Sequence, residues 1–250
     1  RLLATFRLHA APMCKSLPTE PSRRKKFDPI RPGVSVANRR RPQGTLGLIV
    51  DHPTKGRCIL SCAHVLIHSA GTDRTIQQPG RPSGRAIADA DTTVLDQDGD
   101  AAIGVLKGSL HSNPAQLGTD VVVKTVRMPD LGEILTKSGL TTGVTCGVVD
   151  GLGRYLLTGG GGPSASAGSL MASGMDGFRI VPRSAGSPGS DQISDSGDSG
   201  ATWYAHADLA GVGLHVAGET DQNDPDEHAI ACYLPRVLQR LGVTPAVTST

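Results

Sequence analysis

The sequence predicts an all-β protein, and three observations carry that prediction. Thirty-two glycines and 17 prolines cut the chain into short segments, as folds made of short strands and tight turns require. The apolar runs between them are short and strand-like. A single segment, Pro235 to Leu241, carries a helical period, with Val237, Leu238 and Leu241 on one face. A chain of 250 residues holds one large all-β domain or two small ones. Its apolar content of 38% supports a core, and with only seven aromatic residues that core must be built from Val, Leu, Ile and Ala.

The elements follow in order. Residues 1–32 read as a basic, proline-rich N-terminal arm, with the run Arg23-Arg-Lys-Lys26 and prolines at 12, 18, 21, 29 and 32. A second basic run, Arg39-Arg-Arg41, reads as a solvated strand entry. Strand candidates lie at 45–51, 57–62, 84–89, 100–106 and 120–126. After Met128 come 132–137, 143–150, 153–158, 177–181, 200–204, 209–217 and 228–233. The stretch Gly159–Ser169 reads as a mobile loop, not a phosphate cradle, because no Gly-Lys-Ser/Thr follows its glycines. The last residues, Thr244–Thr250, read as frayed.

Three of these segments carry chemistry. In Asp195-Ser-Gly-Asp-Ser-Gly-Ala-Thr-Trp203, Ser199 stands between an acidic turn and a glycine. Flanking glycines let the backbone approach a substrate and aim two N–H groups at one spot. Upstream, the apolar run from Cys58 to Cys62 ends in Ala63-His64. Its imidazole, neutral above an unperturbed pKa near 6.5, is available as a general base. Asp100 abuts the apolar strand Ala101–Leu106 and can accept a hydrogen bond from that imidazole. Asp96 and Asp98 are its rivals; Asp100 is preferred because the strand places its side chain most firmly.

Together these segments resemble the chymotrypsin-like (trypsin-fold) serine proteases. Ser-Cys-Ala-His64, Asp100-Ala-Ala-Ile and Gly197-Asp-Ser199-Gly match that family's base, acid and nucleophile segments, in the family's chain order, with gaps of 36 and 99 residues. The resemblance covers roughly residues 33–242. It implies two antiparallel six-stranded β-barrels, residues 33–126 and 127–250, with the active site between them and a short C-terminal helix. It further implies catalytic His64, Asp100 and Ser199, and an oxyanion hole made by the N–H groups of Gly197 and Ser199. Pro32-Gly-Val-Ser-Val, Gly44-Thr-Leu-Gly-Leu-Ile-Val and Lys137-Ser-Gly-Leu-Thr-Thr-Gly-Val-Thr look like segments of a bacterial and plant-type branch. The chain departs from the digestive branch. It has no Ile-Val-Gly-Gly start, and Val65 stands where a cysteine usually follows the histidine. Activation by a new N-terminus is therefore not supported.

The strand Gly213-Leu-His215-Val-Ala-Gly218 falls where the family's primary-pocket wall should be. A histidine there resembles viral polyprotein proteases and glutamyl endopeptidases, which pair it with a hydroxyl about five residues before the nucleophile; here that is Ser194. The substrate pocket is thus expected from Ser194, His215 and Gly218, with Gln or Glu at P1. Ile193, six before the nucleophile, is no carboxylate, so a pocket for Arg or Lys is not indicated. Asp191, Asp195 and Glu219 are near enough in sequence to repel an anionic P1 group.

No cofactor or metal is implied; the cysteines include no Cys-x-x-Cys pair. Cys58 and Cys62, four apart on a strand, lie about 13 Å from each other, too far for a bridge. The five cysteines read as free thiols in a reducing, cytoplasmic setting, with a Cys146–Cys232 bridge as the alternative. The chain starts at Arg1, which leaves upstream residues and a removed targeting signal open. Protein or peptide substrates are the expected partners. No stretch is apolar enough to span a bilayer. Nucleic acid is disfavoured, because no aromatics interleave the basic runs. Two other readings stay open: a catalytically silent scaffold of the same fold, and nucleic-acid binding through the arm.

Overall fold

The computed structural model describes residues 22–67, 73–81, 83–156, 174–183, 192–219 and 226–250. Two antiparallel β-structures follow one another along the chain. The first is a half-barrel sheet of β1 (Ser35–Asn38), β2 (Gly44–Thr45), β3 (Leu48–His52), β4 (Gly56–Ser61), β5 (Thr75–Gln78), β6 (Arg85–Asp96), β7 (Gly99–Leu106) and the C-terminal β14 (Thr244–Pro245). Its spatial order is β14-β3-β4-β7-β6-β5-β1-β2. The second is a closed six-stranded barrel of β8 (Ile134–Gly139), β9 (Gly143–Tyr155), β10 (Met175–Pro182), β11 (Thr202–Ala205), β12 (Gly211–Gly218) and β13 (Ala229–Tyr233), in the order β10-β13-β12-β11-β8-β9. Two helices complete the described residues, a single turn α1 (Ala63–Leu66) and α2 (Leu234–Leu241).

The all-β expectation holds, and most strands lie where the apolar runs put them. The differences have physical reasons. The segment 120–126 is apolar but makes only isolated bridges, Ala115 with Val122 and Val126 with Gly211; it crosses from one β-structure to the other. The candidates 143–150 and 153–158 merge into one long strand, β9, which ends at Tyr155 and whose glycines at 151 and 153 are paired with β10 rather than turned. The segments of β1 and β5, Ser-Val-Ala-Asn and Thr-Ile-Gln-Gln, are too polar to stand out as strands. Ser35, Asn38 and Gln78 are nonetheless buried and bonded: Gln78 donates to Lys25 O at 2.7 Å and accepts from Phe27 N at 2.9 Å.

The C-terminus corrects the expectation of fraying. Thr244 and Pro245 pair with Asp51 and Val50, and Ala246 N donates to Ile49 O at 3.0 Å. Ser112 and Thr250 exchange both backbone hydrogen bonds. The basic runs are also less free than their composition suggests. Arg23 is 6% exposed and donates to Gly33 O, Ser138 Oγ and Leu117 O. Arg39 and Arg40 pair with Asp73, and Arg41 donates to Ile67 O at 2.8 Å. The expected loop at 159–169 and residues 1–21 lie outside the described residues.

Neither cysteine expectation survives. Cys146 is disulfide-bonded, its partner lying outside the described residues, whereas Cys58, Cys62 and Cys232 are buried free thiols. Cys232 is therefore not the partner of Cys146, and the compartment reading loses the count of free thiols as its support.

The cores are aliphatic, as the composition requires. Leu48, Ile59, Leu60, Ile76, Ile87 and Ile103 fill the first sheet, and Tyr204, Leu214, Val237 and Leu241 continue the same cluster toward the second structure. Inside the barrel, Leu135, Val149, Phe178, Ile180, Ile193 and Trp203 form a second cluster. Each buried aliphatic side chain contributes roughly 1.5–3 kcal/mol. Helix α2 starts with Pro235 in its first turn and buries Leu234, Val237, Leu238 and Leu241. On its other face, Arg240 pairs with Asp96 and Asp98, and Arg236 with Asp176.

Candidate active site

His64 sits in α1, the turn that follows β4, and Asp100 is the second residue of β7, which pairs with β4. This pairing brings them together. Asp100 is 1% exposed; its Oδ1 accepts the His64 backbone N–H at 3.1 Å, and its Oδ2 bonds His64 Nδ1. The imidazole side chain is 33% exposed, and its Nδ1 side is fixed by Asp100. Burial raises the Asp100 carboxyl, but the His64 ring and backbone N–H bonds outweigh it and hold it below its ordinary value. Burial alone would lower His64; the charge and hydrogen bond of Asp100 reverse this and raise it above 6.5, against Arg41. The rivals Asp96 and Asp98 are on the surface, taken by Arg240. Cys62 Sγ, His64 and Asp100 offer metal-ligating atoms within 4.8 Å of one another. The His64 and Asp100 atoms already bond each other, and Cys62 donates to His215 O at 3.1 Å.

Ser199 is on the loop leading to β11. Thr45 on β2 pins that loop: its N–H donates to Ser199 O and its Oγ1 to Gly197 O, both at 2.8 Å. Ser199 Oγ donates to Val216 O at 3.3 Å, not to His64. The N–H groups of Asp198, Gly200 and Ala201 are bonded to Asp195 O, His215 O and Asp198 O. Those of Gly197 and Ser199 have no partner among the described residues. Gly197 holds φ at +103°, a conformation that a side chain would oppose.

A buried ion pair holds the loop from behind, and sequence reasoning missed it. Lys137 on β8 and Asp198 are both fully buried, with Nζ 2.8 Å from Oδ2. Asp198 also accepts from Thr142 Oγ1 at 2.6 Å and from Thr141 N at 2.8 Å. Burial raises the Asp198 carboxyl, but Lys137 overcomes this and brings it to about 2. Burial pushes the Lys137 ammonium below the usual lysine value, with Asp198 opposing. Lys137 also faces the Trp203 ring, 5.5 Å from its centroid. The available signal was a lone charged residue, a lysine, inside the strand Ile134–Gly139.

His215 on β12 is 1% exposed, and its ring links the barrel core to Ser194. Trp203 Nε1 lies 3.3 Å from Nδ1, and Ser194 Oγ lies 3.2 Å from Nε2. Indole N–H only donates, so Nδ1 is the acceptor and the neutral ring carries its proton on Nε2. Burial, then Lys137, pushes the His215 pKa down to about 3. The chain of donors therefore runs Trp203 to His215 to Ser194 and leaves the Ser194 hydroxyl proton for a ligand. Gly218 closes the group; a Cβ there would run into the Ser194 side chain and His228 O. Ile193 turns away into the barrel core. The N–H groups of Ile193 and Ser194 both donate to Glu227 Oε1, at 2.8 and 2.9 Å. Glu227 also escaped sequence reasoning, because it lies 33 residues from Ser194 along the chain.

No family model and no curated protein matches the chain. Solved structures do. A glutamic acid specific serine protease that uses a histidine triad in substrate binding matches with a TM-score of 0.63 and 16% identity, over 87% of this chain and 100% of that one. Thermobifida fusca Protease A gives 0.61 and 14%, over 88% and 99%. Cellulomonas bogoriensis chymotrypsin gives 0.59 and 18%, over 89% and 100%. At these identities the likeness establishes the fold, which is that of the chymotrypsin-like serine proteases.

Proposed function

We propose that the protein is a serine endopeptidase. The observation that carries this reading is the buried Asp100 fixing the Nδ1 side of His64, together with Ser199 on a pinned loop where its own N–H and that of Gly197 have no partner among the described residues. In this reading Ser199 attacks the scissile carbonyl, His64 takes its proton and returns it to the leaving amine, and Asp100 orients the ring. Gly197 N–H and Ser199 N–H stabilise the oxyanion. The division of roles is that of the Ser-His-Asp template. The Ser199 hydroxyl turns from Val216 O to His64 Nε2 as substrate enters, a tightening common on complex formation.

The pocket supports Gln or Glu at P1, because Ser194 and His215 together present a donor to a side-chain oxygen. The glutamic acid specific neighbour fits this class. The two ring partners of His215 here, Trp203 and Ser194, are not histidines, so this pocket has its own construction. A cleavage profile on a peptide library should place Gln and Glu above Arg, Lys, Phe and Leu at P1, since a site left with unpaired polar groups rejects residues that cannot bond them. Cleavage mainly after Arg, Lys, Phe or Leu overturns the pocket assignment.

A further inference from the structure

We propose that Glu227 makes this pocket a reader of the glutamine side chain, its second carboxylate oxygen accepting the amide N–H while the Ser194 hydroxyl donates to the amide oxygen. This rests on the P1 reading above and decides between its two members.

Glu227 stands just before β13 and reaches the segment that carries Ser194. Its Oε1 is spent on the N–H groups of Ile193 and Ser194. Its Oε2 is buried and has no hydrogen-bond partner among the described residues. A buried carboxylate oxygen without a donor is costly, and native proteins rarely leave one so. The missing donor is what a ligand supplies. Gly218 leaves clear the place where a side chain would strike Ser194 and the carbonyl of His228, the residue after Glu227. The neutral His215, with its Nε2 proton on Ser194, leaves the Ser194 hydroxyl free to donate. The pocket therefore offers one donor and one acceptor.

A carboxamide is complementary to that pair. A glutamate side chain has no N–H for Oε2 and sets a second negative charge against it. A lysine ammonium has no acceptor for the Ser194 proton. Ile193, which stands where an acid would read a cation, has its side chain in the barrel core, so the pocket's charge comes from Glu227 alone among the three residues Ile193, Ser194 and Glu227.

The test compares kcat/KM for matched peptides that differ only at P1: Gln, Glu, Lys, Leu, and the methyl-ketone isostere of Gln, which keeps the carbonyl and replaces NH2 by CH3. The wild type should favour Gln over Glu by on the order of 10²-fold, the scale of a like-charge juxtaposition. It should favour Gln over the ketone by about 10–100-fold, the scale of one hydrogen bond to a charged acceptor. Glu227→Gln should shrink both ratios. Fluorophosphonate labelling of Ser199 in the variant reports whether its catalytic loop is assembled. Where the variant does not fold, the ketone comparison in the wild type decides. Equal rates for Gln and its ketone, Glu or Lys preferred over Gln, or ratios unmoved in a folded Glu227→Gln variant each overturn the role of Glu227. If Gln and Glu are cleaved equally and above the rest, the P1 reading stands and this inference alone fails. Cleavage after Leu removes both.

Discussion

Asp100 and Asp198 are both buried carboxylates, and the two β-structures use them in opposite ways. On the first sheet, Asp100 meets an imidazole that stays 33% exposed. Its charge moves a proton equilibrium that remains accessible to solvent. In the second barrel, Asp198 meets an ammonium that is 0% exposed, as it is itself. Its charge is closed off and serves position. The same chemical group thus tunes a base where its partner touches water, and locks a loop where its partner does not. Both arrangements depend on satisfied geometry: Asp100 accepts from the His64 ring and backbone, and Asp198 accepts from Lys137, Thr141 and Thr142.

The largest expected effect comes from breaking the first pair without changing its shape. Asp100→Asn should reduce kcat by about 10⁴-fold, because an amide at this place favours the wrong imidazole tautomer. Asp98→Asn weakens surface pairs with Arg240 and Arg236 and should leave kcat close to wild type. Steady-state rates on one good peptide separate the two; an inactive Asp98→Asn beside an active Asp100→Asn would refute the assignment of the acid.

The contrast also explains what the sequence made readable. His64, Asp100 and Ser199 each carry a local signature, a residue type at a strand end or a glycine turn. Choosing Asp100 over Asp96 and Asp98 needed only the adjoining apolar strand. Lys137, Thr45, Trp203 and Glu227 have no such signature. Their meaning lies in partners far along the chain: Lys137 and Asp198 are 61 residues apart, and Thr45 and Gly197 are 152 apart. Strand reading failed for the same reason. The polar β1 and β5 are strands because Gln78 and Ser35 bond distant groups, and apolar 120–126 is not a strand because it bridges two β-structures. The return of residues 244–250 to the first sheet depends on β3 and Ser112, which no terminal residue announces.

Breaking the second pair should act on stability first. Lys137→Met leaves Asp198 buried and unpaired, and removing one partner of such a pair costs about 3–5 kcal/mol. Thermal or urea unfolding should register that loss, and the Gly197–Ser199 loop should lose its fluorophosphonate reactivity with it. The pH dependence of the pair has a definite sign. Asp198 lies at about 2 in the folded protein, below the unfolded value of about 3.9. Its contribution is present above the unfolded value and is lost as pH falls through about 2. At the alkaline end, burial sets Lys137 below 10.5, so activity should decline there as Lys137 loses its proton. Lys137→Arg, where it folds, should carry that decline to higher pH. A Lys137→Met protein as stable and as reactive as wild type contradicts the locking role.

The most direct measurement is the rate at which a fluorophosphonate modifies the wild-type protein across pH 5 to 9, with the modified residue identified by mass spectrometry. The proposed mechanism requires the label on Ser199. It requires a rate that rises through an apparent pKa above His64's ordinary value of about 6.5, because Asp100 raises it. A flat rate over that range, or a wild-type label that falls on another serine, leaves Ser199 unmodified and persists in Ser199→Ala, would contradict it.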